Sequence, residues 1–287
     1  MANAIVENVS DTAFWVAHYR GVETERPDAL FRDPLAAVLA GERGRKIAES
    51  MPRPFITAWF ISVRTRIIDE FIQSAVEKGV DTVLNLGAGL DTRPYRMDLP
   101  PTLNWIEADY AAMIDYKDSS LPRETPRFKL TRVKADLANP TERREVLRSA
   151  NAQARKLLIL TEGVVPYLSN EDVGALADDL RALDHAAYWI VDFFSQELLK
   201  QREKWVARRM ENAPFKFNPG DWLGFFEQHG WKSSDIRYLS SESERFGRRI
   251  KLPLLGMLII GTQWLFSSAE RRAQSKQNTG YVLLEPR

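Results

Sequence analysis

The sequence predicts an α/β protein built on a parallel sheet, and three observations support that class. The apolar run Val83–Leu86 is short and does not alternate, which is typical of a strand buried on both faces. The run Leu157–Leu160 has the same character. The segment Pro54–Lys78 instead has apolar residues at spacings of three and four, as a long helix does, and Gly79 follows it. Strands buried on both faces need helices on each side, so these segments predict a layered α/β body.

The composition narrows the class of protein. The 287 residues include 40 basic and 39 acidic side chains, and this balance argues against a nucleic-acid binder. The chain has no cysteine, which excludes disulfides, thiolate zinc sites and a cysteine nucleophile, and we expect no bound metal. The N-terminus does not have the pattern of a signal peptide, so we expect a cytoplasmic protein. The apolar stretch Leu252–Phe266 is shorter than the roughly 20 residues of a membrane span, and we expect it to be buried or to line a pocket.

The first part of the chain is predicted to be helical. Residues 1–52 have irregular helical spacing interrupted by prolines, and they show no strand pattern. In the helix Pro54–Lys78, Arg64 lies between Phe60 and Ile68 on the apolar side. A guanidinium on that side needs an anionic partner, which is either a bound ligand or an acid of the core. The sequence leaves both possibilities open.

A glycine-rich turn ends the strand Val83–Leu86. Gly87 and Gly89 let the backbone turn tightly and approach a ligand closely. The dinucleotide fingerprint needs a third glycine at the position of Thr92, which weakens the case for a bound pyrophosphate. The next strand, Asn104–Asp109, ends in an acid that could bind the hydroxyl groups of a ribose. A turn that only shapes a loop is the alternative.

The second half of the chain predicts further strands and helices. Phe128–Asp136 alternates among basic residues, which is typical of an edge strand, whereas Leu157–Leu160 should be central. Glu162 follows the central strand and would lie at the switch point of the sheet, where ligands bind. Ser169, with Asp172 three residues on, predicts a capped helix. The other expected elements are a strand at Ala187–Phe194, a charged helix through Met210, a last helix at Asn218–His229, and final strands at Asp235–Leu239 and Tyr281–Glu285.

Five motifs follow one another through this region: Arg64–Phe71, Leu86–Arg93, Glu107–Tyr110, Ala135–Leu137 and Thr161–Val164. Their order and spacing resemble the leucine carboxyl methyltransferase family, including its bacterial branch of tetracenomycin-type polyketide O-methyltransferases. The resemblance covers most of residues 14–195 and becomes general after that.

The resemblance implies a fold and a domain organisation. The fold would be a Rossmann-like class I methyltransferase sheet of seven strands with the last one antiparallel. A single domain would span residues 1–287. It would comprise a helical cap (1–52), a cofactor-binding core (53–195), and a helical insertion with the final strands (196–287).

The resemblance also implies S-adenosyl-L-methionine as the cofactor. Asp109, rather than Glu107, would bind the ribose hydroxyls, and alternation favours the same choice because only the later residue clears the strand end. Arg20 would lie near the methionine carboxylate, with a surface position as the alternative. Tyr167 would line the acceptor pocket or only pack. The implied cofactor-binding residues are Arg64 for the methionine carboxylate, Gly87, Ala88 and Gly89 in the turn, Asp109, Asp136 and Leu137 at the adenine, and Glu162 near the sulfonium or the amino group.

The expected activity is O-methylation of a small-molecule carboxylate or acidic phenol, such as a polyketide or another secondary metabolite. Of His18, His185 and His229, only His18 could reach an acceptor, with packing as its alternative, so no catalytic residue is assigned. A nicotinamide-dependent oxidoreductase is disfavoured because the chain has no Tyr-x-x-x-Lys motif. A protein C-terminal carboxyl methyltransferase and a non-catalytic S-adenosylmethionine-binding paralogue remain alternatives. The acceptor and the oligomeric state stay open.

Overall fold

The computed structural model describes residues 8–200, 212–250 and 276–287. Two sequence expectations therefore lie outside the described residues. They are the part of the charged helix from residue 201 to Met210, and the apolar stretch Leu252–Phe266.

A seven-stranded sheet forms the centre of the fold, in the order β3-β2-β1-β4-β5-β7-β6. Strands β1 to β5 pair in parallel, and β7 is antiparallel to both of its neighbours, β5 and β6. The predicted fold class, including the reversed last strand, is confirmed. The strands are β1 (Thr82–Leu86), β2 (Asn104–Asp109), β3 (Lys129–Lys134), β4 (Leu157–Thr161), β5 (Ala186–Phe194), β6 (Trp231–Tyr238) and β7 (Thr279–Pro286).

Each face of the sheet carries its own apolar layer. In β1, Leu84 and Leu86 pack into the layer that contains Leu147 and Leu180, whereas Val83 packs on the other face with Phe71. This division follows from the period of two along a strand. All five positions of β1 and of β4 are buried, whereas β3 has alternating exposure and lies at the edge, as predicted.

The helices begin at signals that the sequence provides. Asn139 caps α6 by accepting the N–H of Thr141, and Ser169 and Asp172 form the predicted capping box of α7. No helix within the described ranges is both long and apolar enough to cross a bilayer. The helices are α1 (Asp11–Thr24), α2 (Pro34–Ser50), α3 (Pro54–Glu77), α4 (Arg93–Arg96), α5 (Ala111–Ser120), α6 (Pro140–Gln153), α7 (Asn170–Arg181), α8 (Trp222–Gln228) and α9 (Leu239–Arg245), and Val165–Tyr167 is a 3₁₀ turn.

Helices α1 and α2 form a cap beside the glycine turn. Phe14 of α1 and Leu39 of α2 belong to one apolar cluster with Leu90 and Met113, which follow β1 and β2. The predicted helical character of the N-terminal segment is confirmed for its described part. The cap therefore packs on the loops at the carboxyl edge of the sheet.

Two expectations near the C-terminus are wrong. Leu239 does not end a strand but begins α9, so the helix predicted at Asn218–His229 is not the last one, and it begins only at Trp222. The strand predicted at Asp235–Leu239 starts earlier, at Trp231. The reason is that β6 is an edge strand whose register shifts between Ser233 and Asp235, which disrupts the alternation that marks a strand in the sequence.

Candidate functional site

A cavity of about 560 Å³ lies at the carboxyl ends of β1, β2, β4 and β5, with α1 and α3 along its sides. This is the edge at which open α/β sheets bind ligands. Among the residues that line it are Arg20, Phe60, Arg64, Gly87, Ala88, Gly89, Asp109, Leu137, Arg143, Glu162, Tyr167, Asp192, Phe194 and Phe215.

The glycine turn closes one side of the cavity. Gly87 and Gly89 both have positive φ, 66° and 50°, which is the region that favours glycine. The N–H groups of Gly87 and Ala88 donate to the carbonyl of Ala108, at 2.8 and 3.3 Å, and fasten the turn to the end of β2. A Cβ atom on Gly87 would overlap the side chain of Val164. The turn thus needs glycine for both its conformation and its packing.

Asp109 lies where the prediction placed the ribose-binding acid. Its Oδ2 accepts the N–H of Gly89 at 2.6 Å, and its Oδ1 accepts the N–H of Tyr110 at 2.7 Å. Burial raises its pKa, against the effect of these two hydrogen bonds. Each carboxylate oxygen keeps a further lone pair for a ligand hydroxyl.

Glu107, the other candidate acid, is occupied elsewhere. It is fully buried, and its Oε2 accepts from Lys117 Nζ at 2.8 Å and from Arg132 Nε at 2.9 Å. It does not line the cavity. The structure therefore brings Asp109, and not Glu107, to the candidate site.

The loop after β3 forms the wall at the predicted adenine end. Leu137 lines the cavity, but Asp136 does not. The Oδ1 of Asp136 accepts the N–H of Ala138 at 2.9 Å, while Glu142 accepts the N–H of Asp136 at 2.8 Å. The loop is thus held mainly by its own hydrogen bonds.

Arg143 supports this loop and was missed by the sequence analysis. It is buried and donates to Asp179 Oδ2 through Nε and Nη2, at 3.0 and 2.7 Å. Its Nη1 donates to the carbonyl of Leu137 at 3.2 Å. In the sequence, Arg143 is one of several charged residues at the start of α6. The sequence alone does not distinguish it from the residues on the exposed surface of that helix.

A buried network of charges lies under the other end of the cavity. The Glu162 carboxylate is 2.9 Å from Arg64 Nη2 and 2.8 Å from Arg93 Nη1. Arg93 is completely buried and also contacts Asp69 and Asp91, each at 2.7 Å. Burial alone would raise the pKa of Glu162, but Arg93 and Arg64 lower it below its ordinary value. Glu162 is therefore an ionised group whose charge is already compensated.

Arg64 combines the two possibilities that the sequence left open. It pairs with Glu162, as an acid of the core would require, and it also lines the cavity. Its Nε is buried and has no hydrogen-bond partner among the described residues. A donor of this kind can still serve an anionic ligand group.

Three further residues were predicted to bind the substrate or to lie near the methionine carboxylate, and they differ in position. Arg20 is buried, donates to the carbonyl of Leu90 and pairs with Asp33 at 3.2 Å, so the surface alternative is wrong. His18 does not line the cavity; burial lowers its pKa, and it packs against Tyr19. Tyr167 lines the cavity and packs edge-on against an aromatic ring.

Asp192 is a further carboxylate of the cavity, and the sequence analysis missed it. It is buried near the end of β5, where its Oδ2 accepts the N–H of Gly163 at 2.8 Å and its Oδ1 accepts the hydroxyl of Tyr281 at 2.9 Å. No lysine or arginine of the described ranges forms an ion pair with it, and burial raises its pKa to about 6. The signal in the sequence was one acid in the otherwise apolar strand predicted at Ala187–Phe194.

Aromatic rings form the wall next to Asp192. Phe60 and Phe194 stack with their centroids 6.4 Å apart, and Phe194 packs on Phe215 at 5.3 Å. Tyr167 continues the wall at 5.1 Å from Phe215. The cavity is therefore polar along the strand ends and aromatic at the side of β5.

The strand order, the reversed β7 and a site at the carboxyl edge are those of a class I methyltransferase. The model of the family described as leucine carboxyl methyltransferase matches residues 13–181, more than half of the chain. The protein belongs to the leucine carboxyl methyltransferase family. The predicted family is confirmed, and its tetracenomycin-type branch stays a prediction.

Named relatives are similar to this chain over most of their length. A protein of Streptomyces avermitilis named "Putative S-adenosyl-L-methionine-dependent methyltransferase" is 29% identical over 262 residues, covering 84% of this chain and 89% of the relative. A Mycobacteroides abscessus protein of the same name is 29% identical over 283 residues, covering 86% and 91%.

Solved structures share the fold. A DUF574 family protein from Streptomyces avermitilis has a TM-score of 0.58 at 16% identity and covers 94% of this chain and 97% of its own. A structure from Thermobifida fusca, described as a "putative methyltransferase", has a TM-score of 0.55 at 15% identity and covers 94% of both chains.

Proposed function

We propose that the protein transfers a methyl group from S-adenosyl-L-methionine to an oxygen atom of a small molecule, either a carboxylate or an acidic phenol. The family and the names of the relatives both describe methyltransferases, and the relatives' names specify S-adenosylmethionine as the methyl donor. The oxygen acceptor and its small size are the further steps of the proposal.

The position of Asp109 carries the cofactor assignment. Its carboxylate bridges the end of β2 and the glycine turn, and both oxygens retain lone pairs at the cavity wall. Two neighbouring ribose hydroxyls are the donors that suit such a carboxylate. Thr92 is buried and donates to Asp33 at 2.5 Å, so its side chain is directed away from the cavity. This arrangement favours a nucleoside without a pyrophosphate.

The buried charges fit the amino-acid part of the same cofactor. Arg64 lines the cavity with a guanidinium group, which suits a carboxylate, and Glu162 offers an acceptor for an ammonium group. When bound, S-adenosylmethionine supplies a methyl group on a sulfonium sulfur, an already activated leaving group. The protein side chains must therefore bind, align the acceptor and exclude water.

The aromatic wall supports a small acceptor. Phe60, Phe194 and Phe215 line a cavity whose volume of about 560 Å³ falls within the range of roughly 300–1,000 Å³ that is usual for small-molecule sites. A planar molecule that stacks on this wall would place its polar group near the strand ends.

Calorimetric titration with S-adenosylmethionine and with NAD tests the cofactor. We expect binding of S-adenosylmethionine and none of NAD; preference for NAD would contradict the proposal. A transfer assay with methyl-labelled cofactor against a panel of aromatic carboxylic acids and phenols then tests the acceptor. Cofactor binding without transfer to any panel member would favour a non-catalytic binding protein.

A further inference from the structure

We propose that Asp192 is the catalytic base of the methyl transfer and that the acceptor is an aromatic hydroxyl compound rather than a carboxylate. The inference rests on the proposed function and deepens it, because it chooses between the two acceptor chemistries. Four features of the cavity support it: the position of Asp192, its hydrogen bonds, the charges around it and the aromatic wall.

The strand order separates the two ends of the cavity. Asp109 ends β2 and Asp192 lies near the end of β5, with β1 and β4 between them. Strands lie about 4.8 Å apart, so three steps across the sheet separate β2 from β5 by roughly 14 Å. If Asp109 binds the ribose, Asp192 lies beyond the methionine part of the cofactor. That is the side from which an acceptor must approach.

The hydrogen bonds of Asp192 fix its carboxylate but do not saturate it. Both of its contacts, the N–H of Gly163 and the hydroxyl of Tyr281, are donors. An ionised carboxylate offers about four lone-pair positions, and these contacts use two. Glu162 directly precedes Gly163 in the chain, so the bond to Gly163 also holds Asp192 beside Glu162. Asp192 is therefore a rigid acceptor with capacity left for a hydroxyl of the substrate.

The surrounding charges distinguish Asp192 from Glu162. Arg64 and Arg93 compensate Glu162, whereas Asp192 has no ion-pair partner in the described part of the chain. The charged and titratable groups that influence Asp192 are Arg64 from α3, Glu162 directly after β4 and Tyr281 from β7. An acceptor carboxylate would meet a like charge here that Arg64 offsets only in part, which is unfavourable. A hydroxyl group would instead donate a hydrogen bond to it.

The wall beside Asp192 fits an aromatic ring. Phe194 lies two residues after Asp192, so both side chains project from the same face of β5. Phe60 stacks on Phe194, and both line the cavity. A ring that packs against this pair would bring its hydroxyl group toward Asp192.

The methyl transfer would need three groups: the acceptor hydroxyl, the methyl group of S-adenosylmethionine and the carboxylate of Asp192. The acceptor oxygen forms a bond to the methyl carbon while the carbon–sulfur bond breaks. The electron pair of the broken bond stays on the sulfur. The proton of the acceptor hydroxyl moves to a carboxylate oxygen of Asp192, which later releases it to water. The pKa of Asp192 is raised to about 6, which is closer to the pKa of a phenol than the pKa of an ordinary aspartate is. Asp192 is still ionised at neutral pH and can accept a proton.

Two probes of equal ring size test the inference: 2-naphthol, which is a neutral hydroxyl compound, and 2-naphthoate, which is an anion. Their affinities are measured by calorimetry at pH 7.5 on the full chain saturated with S-adenosylhomocysteine. We expect 2-naphthol to bind at least about tenfold more tightly, because like charges repel the carboxylate probe. Asp192→Asn should bring the ratio close to one. Asparagine can accept the N–H of Gly163 through its oxygen and donate an amide N–H to the hydroxyl oxygen of Tyr281, so the fold should survive.

The control is Asp235→Asn, the same change at a half-exposed aspartate of β6, which should leave the ratio unchanged. In the transfer assay, Asp192→Asn should lower kcat for 2-naphthol by about 10²–10⁴-fold at unchanged S-adenosylhomocysteine affinity. Equal or tighter binding of 2-naphthoate by the native chain would overturn the inference. An unchanged ratio in Asp192→Asn, or binding of neither probe while S-adenosylhomocysteine binds, would also overturn it. Absence of S-adenosylhomocysteine binding would instead overturn the proposed function.

Discussion

The two ends of the cavity are built in different ways. At the end beside β2, the contacts are between a carboxylate and backbone groups: Asp109 holds the N–H of Gly89, 20 residues earlier. At the end beside β5, the contacts are between side chains from distant elements, such as Asp192 with Tyr281, 89 residues apart, and Arg64 with Glu162. The first end is fixed by local chain geometry, and the second by tertiary packing and charge.

The two carboxylates of the second end show what this difference means. Glu162 has its charge compensated by two arginines, which lower its pKa, whereas burial raises the pKa of Asp192 to about 6. The pKa values of these two acids in one cavity are thus shifted in opposite directions. Such a pattern distinguishes an acid that only stabilises charge from one that can act as a base.

The largest expected effect comes from removing the cation at the centre of the network. Arg93→Met leaves Asp69, Asp91 and Glu162 buried without their shared partner. We expect a loss of about 3–5 kcal/mol or more in the free energy of unfolding, measured with urea.

Arg66 provides the control, because the same change there affects a half-exposed arginine whose ion-pair partner among the described residues is Glu70. Arg66→Met should cost at most about 1 kcal/mol. Similar losses for Arg93→Met and Arg66→Met would show that the network does not stabilise the second end.

Asp192→Asn should stabilise the apo protein in a pH-dependent way. The folded-state pKa of Asp192 is raised from 3.8 to about 6, so the folded state binds a proton more tightly than the unfolded state. The native chain therefore loses stability as the pH rises from about 4 to 6, by roughly 3 kcal/mol, and the penalty then stays constant.

The difference in unfolding free energy between Asp192→Asn and the native chain should accordingly be largest above pH 6 and shrink toward pH 4. Urea denaturation at several pH values measures it. A native chain that is the more stable of the two at pH 8 would contradict a raised pKa at this position.

A smaller stability effect is expected for Arg64→Met. Its partner Glu162 remains paired with Arg93, so we expect the apo protein to lose only about 1–2 kcal/mol. The thermal shift caused by S-adenosylmethionine should nevertheless be lost, because ligand stabilisation follows affinity. A variant that keeps the full shift in melting temperature would show that Arg64 serves the core and not the ligand.

The sequence predicted the first end of the cavity better than the second. Gly87, Gly89 and Asp109 could be placed because a turn and the following strand end are close in the chain. The pairing of Arg64 with Glu162 remained one of two possibilities, because a helix period shows that a charge is buried but not which acid it meets. Asp192 was missed because its role depends on β7, which the chain reaches only at its end.

The fold shows the same division. Strands buried on both faces, such as β1 and β4, were predicted nearly to the residue, since each is a short run of apolar side chains. The beginning of β6 and the helix α9 were not, because an edge strand with a register shift alternates poorly and a seven-residue helix has little period.

In the proposed division of the cavity, Asp109 serves the cofactor and Asp192 serves the acceptor. Calorimetric titration of S-adenosylhomocysteine into the native chain, Asp109→Asn and Asp192→Asn tests it most directly. Asp109→Asn should lose roughly 2–4 kcal/mol of binding free energy, because charge-assisted hydrogen bonds to the ribose are weakened. Asp192→Asn should bind within about twofold of the native chain, a difference of roughly 0.4 kcal/mol. Native-like affinity in Asp109→Asn, or an equal loss in both variants, would contradict the division of the cavity into a cofactor end and an acceptor end.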